Sequence, residues 1–138
     1  MDNLENKSPF LEIRGLTVEY FSKETVVHAV NSVDLTLEKG RTLGLVGETG
    51  AGKTTAGLAM LRLIPNPPGV ITGGEILFDG ENLLDKSEHE MESIRGKQIS
   101  MIFQDPMTAL NPVFTMESQI AESIQLHEDV TAEEALEK

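Results

Sequence analysis

Gly47-Glu48-Thr49-Gly50-Ala51-Gly52-Lys53-Thr54 fills every position of the pattern G-x-x-x-x-G-K-[ST]. Glycines in such a loop let the backbone turn tightly, so that consecutive N–H groups point inward at a polyphosphate. Lys53 then reaches the β- and γ-phosphates, and the Thr54 hydroxyl can join the shell of a Mg²⁺ ion. The flanks agree with this reading. Thr42-Leu43-Gly44-Leu45-Val46 is a short apolar run of buried-strand type, and residues 54–64 make a helix-length apolar segment. The loop therefore joins a strand to a helix N-terminus, where the dipole and free N–H groups favour anions.

At 138 residues the chain has the length of one domain. Its net charge is −12, and half of the acidic excess lies in residues 113–138, where seven acids face one lysine. No basic patch is visible, which argues against nucleic acid as a partner. With no cysteine there is neither a disulfide framework nor a thiolate metal site, as suits a reducing cytosol. No run of 18 apolar residues occurs, and Met1-Asp2-Asn3-Leu4-Glu5 lacks a basic n-region and an h-region. Direct membrane insertion is not expected; a membrane role would run through a partner.

Hydrophobic periodicity lays out the remaining elements. Leu11 and Ile13 alternate with polar residues, then Leu16, Val18 and Tyr20 alternate on the opposite parity, which predicts one strand with a bulge or bend at Gly15. Ser22-Lys23-Glu24-Thr25 reads as a turn, and Val33, Leu35 and Leu37 as the buried side of a half-buried strand. The helix after the loop should stop at Pro65, in a rigid surface loop running to Gly69. Residues 75–78 form a short strand ending in an Asp79-Gly80 turn, and residues 87–95 a polar, solvated helix. Residues 99–103 are again of buried-strand type. Thr115 then caps a helix carrying Met116, Ile120 and Ile124 on one face, a stripe expected to pack internally. Thr131-Ala132-Glu133-Glu134 is a capping-box pattern that starts a helix close to the last residue, as a cut chain would.

The kind of phosphate-loop protein is narrowed by a second string. There is no N-K-x-D for a GTPase, and the glycines run G-x-x-G-x-G rather than in the dinucleotide order. Met101-Ile102-Phe103-Gln104-Asp105-Pro106-Met107-Thr108-Ala109-Leu110-Asn111-Pro112 places a glutamine at the end of an apolar run, just before a proline-punctuated loop. That string resembles the Q-loop of ABC-transporter nucleotide-binding domains. With Gly73-Gly74-Glu75-Ile76-Leu77-Phe78-Asp79-Gly80 before it and Thr115, Gln119, Ile120, Glu122 and His127 after it, the chain is similar to the ATP-binding subunits of bacterial oligopeptide/dipeptide ABC importers. The likeness runs from Leu11 to Lys138 and covers only the N-terminal portion of such a subunit. Thr49 and Thr54 stand where these proteins often carry serine, and both keep a hydroxyl.

The resemblance implies an incomplete α/β P-loop NTPase fold of the ABC type. Residues 1–112 would hold an antiparallel β flap, the P-loop strand and helix and the Q-loop, and residues 113–138 the start of a helical subdomain. It implies ATP and Mg²⁺ as cofactors, with Tyr20 stacking on adenine and Gly47, Glu48, Thr49, Gly50, Ala51 and Gly52 around the phosphates. Lys53 would pair with β/γ oxygens and Thr55 with the α-phosphate. Thr54 and Gln104 would reach the metal, Gln104 also the attacking water. The implied partners are transmembrane permease subunits and a second ATP-binding subunit, identical or not. The implied location is the cytoplasmic face of the inner membrane and the implied task peptide uptake, nickel uptake being the variant among near relatives.

Three strings mimic motifs of this family without fulfilling them. Ile71-Thr72-Gly73-Gly74-Glu75 precedes the Q-loop, where no ABC signature belongs. Ile76-Leu77-Phe78-Asp79 lies in the expected flap, and Met101-Ile102-Phe103-Gln104 has glutamine where a metal-holding aspartate would stand. His28, His89 and His127 lack ligand spacing. A signature motif, a Walker B Asp-Glu pair and a switch histidine are not among the 138 residues, so the chain alone is expected to bind nucleotide weakly without turnover. It is also expected to leave an apolar sheet edge uncovered beside the P-loop strand. The alternative to an ATPase component is a non-catalytic, nucleotide-binding or interaction remnant of one.

Overall fold

The computed structural model describes residues 9–104 and 110–138, so that Asp105-Pro106-Met107-Thr108-Ala109 of the glutamine string lies outside the described residues. These fall into two units, one ending at Met91 and the other beginning at Glu92. The first is built on a four-stranded antiparallel sheet in the order β2-β1-β3-β4, from β1 (Leu11–Phe21), β2 (Val26–Leu37), β3 (Gly69–Phe78) and β4 (Glu81–Asn82).

The parity switch read in β1 is a bulge. Ile13 pairs with Leu35 and Leu16 with Val33, three steps along β1 against two along β2, and the β3 pairing shows the same excess between Arg14 and Thr17. The extra residue puts Leu11, Ile13, Leu16 and Val18 on one buried face despite their change of parity. The Asp34 carboxylate holds the bulge by accepting from the Gly15 N–H at 2.7 Å. Gly74 faces it from β3 with φ +94°, and a Cβ there would lie 2.6 Å from the Arg14 carbonyl oxygen and from Leu16 backbone atoms. Glycine is thus required at the string that mimics the signature motif, and Ile71 to Asp79 belong to the antiparallel flap and its closing turn. Asp79 (φ 50°) and Gly80 (φ 86°) make the two-residue turn into β4.

Two strands are longer than their sequence patterns indicate. β2 begins at Val26 and β3 at Gly69, since pairing to β1 on both sides recruits Val26, Val27 and Val70, which carry no clean alternation of their own.

Helix α1 (Lys53–Met60) packs on β1 and β2 with Ala56 and Ala59 buried. It stops short of Pro65. Arg62 turns left-handed at φ 52°, and the N–H groups of Arg62 and Leu63 return to the carbonyls of Ala59 and Leu58, a Schellman closure. The Arg62 guanidinium is fixed there by the Lys86 carbonyl and, at 3.8 Å, by Glu88.

The apolar run Thr42 to Val46 corrects the expectation of a strand. Residues 41–48 are irregular, with Val46 95% exposed. A strand needs a neighbour for its N–H and C=O groups, and among the described residues none pairs with this run. Residues 101–103 are irregular for the same reason, Ile102 being 97% exposed, and Ile99 makes a single bridge to Arg95.

Helix α2 (Glu88–Ile94) is not simply solvated: Met91 and Ile94 are buried. Its start is a capping box. The Glu90 carboxylate accepts from the Ser87 N–H at 2.7 Å and hydroxyl at 2.6 Å, while the Ser87 hydroxyl accepts from the Glu90 N–H at 3.3 Å.

The second unit contains α3 (Met116–His127) and α4 (Ala132–Leu136), packed together with Ala121 and Ala135 buried. Both caps read from the sequence are present. The Thr115 hydroxyl accepts from the Ser118 N–H, and Thr131 and Glu134 form the reciprocal box. The Met116 and Ile120 side chains lie largely exposed rather than packed, while Ile124 is half-buried.

Hydrogen bonds from the Ser87 hydroxyl and then its amide hold the Glu90 carboxyl below the usual value of 4.5. A carboxyl depressed by folding contributes stability that is complete above that value and lost as pH falls through the folded one. Thermal unfolding of wild type and Glu90→Gln should therefore differ at pH 6 and converge on acidification towards pH 3, with wild type the more stable form before convergence.

Candidate phosphate site

Residues 47–52 double back on themselves before α1. The Ala51 N–H donates to the Glu48 carbonyl at 3.1 Å, and Gly50 and Gly52 take φ of 84° and 82°. Gly52 is the N-cap of α1 and has no side chain to cap it, so the first N–H groups of the helix remain for an incoming acceptor. Gly52 also touches β2: a Cβ there would sit 2.1 Å from the Ala29 carbonyl oxygen. That approach seats the loop on the sheet.

The Lys53 side chain folds back over the loop and donates to the carbonyls of Gly47 and Glu48, both at 2.6 Å. An ammonium has three donors, so one is left for a ligand above the loop. Thr54 and Thr55 occupy the first turn of α1, Thr54 exposed and Thr55 half-buried. A cluster of backbone donors, one oriented cation and an exposed hydroxyl suits a polyphosphate, and the hydroxyl suits a Mg²⁺ ion that takes most of its ligands from phosphate and water.

Beside the loop lies an open hollow of about 370 Å³, within the size range of ligand sites. It runs along β2 from His28 to Val33 and is closed by Leu45, Val46, residues 50–53 and Ala56. Among the described residues no acid lines this hollow; its ionisable members are Lys53 and His28. Such a lining accepts an anion without like-charge repulsion.

The other expected site residues are distributed unevenly. Tyr20 stands one residue before the end of β1, opposite Val27, and lies against Gly69, whose Cβ, if present, would be 2.8 Å from the Tyr20 ring; it does not line the hollow. Gln104 is exposed and belongs to the second unit. His28 and Ala29 were invisible to motif reading, since they belong to no pattern; only the pairing of β2 brings them to the loop.

The fold and loop together are those of an α/β P-loop domain, with a glycine-rich turn leading into α1 and a lysine folded over it. The sequence model of the ABC transporter family matches residues 30–138, and the chain belongs to that family. Over 128 residues it is 46% identical to the probable peptide ABC transporter ATP-binding protein y4tR of Sinorhizobium fredii, covering 93% of this chain and 38% of that protein. It is also 46% identical over 125 residues to the oligopeptide transport ATP-binding protein OppD of Bacillus subtilis, covering 91% of this chain and 35% of OppD. The chain thus spans little more than a third of the length of these relatives. The dimeric structure of MJ0796, a bacterial ABC transporter cassette, matches with a TM-score of 0.77 at 22% identity, covering 92% of this chain and 53% of that one. This likeness establishes the ABC cassette fold for the described part.

Two substitutions separate backbone strain from contact. Gly50→Ala meets open space and should cost about 1–2 kcal/mol for its left-handed φ. Gly52→Ala should cost about 1–3 kcal/mol more, because the loop must lift from Ala29. Urea unfolding midpoints order the two, and equal midpoints would contradict the contact.

Proposed function

We propose that the chain is the ATP-binding part of an ABC importer for peptides, acting at the cytoplasmic face of the inner membrane. The observation that carries this is the Lys53 ammonium held over the P-loop by two carbonyls, beside an uncapped α1, in a hollow whose lining includes no acid among the described residues. The peptide assignment is supported by the names of the relatives, y4tR and OppD. No described helix is long and apolar enough to cross a membrane; in this reading the path through it belongs to permease subunits.

In this reading the amides of residues 47–52 and of the first turn of α1 hold the phosphates, Lys53 donates to the β/γ oxygens, and Thr55 contacts the α-phosphate. Thr54 offers its hydroxyl to Mg²⁺, which when bound neutralises triphosphate charge. Tyr20 provides a face for adenine, and Gln104 senses the occupied site and passes that state to a permease. Residues 1–112 form the ATP-binding core and residues 113–138 begin the helical subdomain. A second ATP-binding subunit completes the site, in line with the dimeric form of MJ0796 and its structure bound to ADP and Pi. Since positioning and electrostatic stabilisation drive phosphoryl transfer, the cradle alone binds without turning over.

Calorimetric titration of the 138-residue protein with Mg·ATP should show binding that Lys53→Ala weakens about 10- to 100-fold, as loss of a charge-assisted hydrogen bond implies. Unchanged affinity would refute the site. Steady phosphate release by this chain, abolished in Lys53→Ala, would refute the claim that the cradle alone does not turn over.

A further inference from the structure

We infer that His28, tied to Glu19, is a contact residue for the nucleotide's ribose hydroxyls; the inference rests on the nucleotide reading of the P-loop. Strand β2 acts as the ruler. Val27 is paired with Tyr20, and two residues on the Ala29 carbonyl abuts Gly52 of the loop. His28 stands between them. At about 3.3 Å per residue, Val27 and Ala29 are roughly 7 Å apart, the span between a base and the start of its phosphate chain.

The local backbone is specialised for this contact. Val18 pairs with Val30 and Glu19 with His28, so Ala29 is an additional residue on β2, a bulge of the kind that re-aims a strand beside a site. The same stretch of β2, His28 included, lines the hollow next to residues 50–53.

The chemistry at His28 is fixed by its partner. Nδ1 lies 2.7 Å from Glu19 Oε1. A carboxylate only accepts, so Nδ1 carries the hydrogen, and in the neutral ring Nε2 is the free acceptor. Ribose hydroxyls are donors and match it. Glu19 is the positioning residue: it is largely buried while His28 stays more than half exposed, so the ring is tethered at Nδ1 and still open to solvent.

The test compares Mg·ATP with Mg·tripolyphosphate, which has the phosphates but no nucleoside, by calorimetry on the 138-residue protein. His28→Ala should weaken ATP about 5-fold, the worth of one hydrogen bond, and leave tripolyphosphate within about 2-fold. His28→Gln, which keeps an acceptor, should recover part of the loss. Glu19→Gln should weaken ATP less than His28→Ala does, again sparing tripolyphosphate. Unchanged ATP affinity in His28→Ala, or an equal loss for both ligands, would overturn the assignment. Lys53→Ala should weaken both ligands; if it affects neither, the nucleotide reading has failed, a result separable from failure at His28.

Discussion

The missing side chain of Gly52 is the constraint on which the arrangement turns. The loop can rest on the Ala29 carbonyl only because nothing projects between them. With the loop seated, α1 starts against the β flap, Ala56 and Ala59 bury themselves on β1 and β2, and the first N–H groups of the helix face the hollow. Any residue with a Cβ would force loop and strand apart and tilt the helix with them. The φ of 82° at Gly52 adds a second demand met by the same residue.

Electrostatics then select what the seated loop can hold. The protein as a whole is strongly acidic, which repels anions at long range, yet no carboxylate among the described residues lines the hollow beside the loop. Lys53 is held over the loop by two carbonyls rather than by an acid. Its charge is therefore directed but not cancelled. An acidic partner at the same place would have neutralised the site, and a free lysine would lose more side-chain entropy on binding.

Much of this was legible in the sequence. The phosphate loop, the bulge at Gly15, the caps at Thr115 and Thr131 and the Asp79-Gly80 turn each depend on short-range chemistry that a few residues specify. What failed depended on partners distant in sequence. Thr42 to Val46 and Ile99 to Phe103 have the composition of buried strands, but composition supplies no neighbour; the first run stays irregular and exposed, and the second makes one bridge at Ile99 and is otherwise irregular. The polar helix at residues 88–94 hides a buried Met91, and the Ser87/Glu90 box that starts it stands in the sequence as S-x-x-E. His28 and Ala29 gained significance only through β pairing. The family likeness, in contrast, rests on long strings and extends over more than nine tenths of the chain in its curated relatives.

The most direct test of the phosphate cradle is a ¹H–¹⁵N correlation spectrum of the 138-residue protein titrated with Mg·tripolyphosphate. If the loop amides hold the ligand, the largest saturable shifts fall on residues 47–55, with those of β3 and α4 nearly unmoved. Saturable shifts centred elsewhere, or none at the loop while the ligand binds, would contradict the central claim.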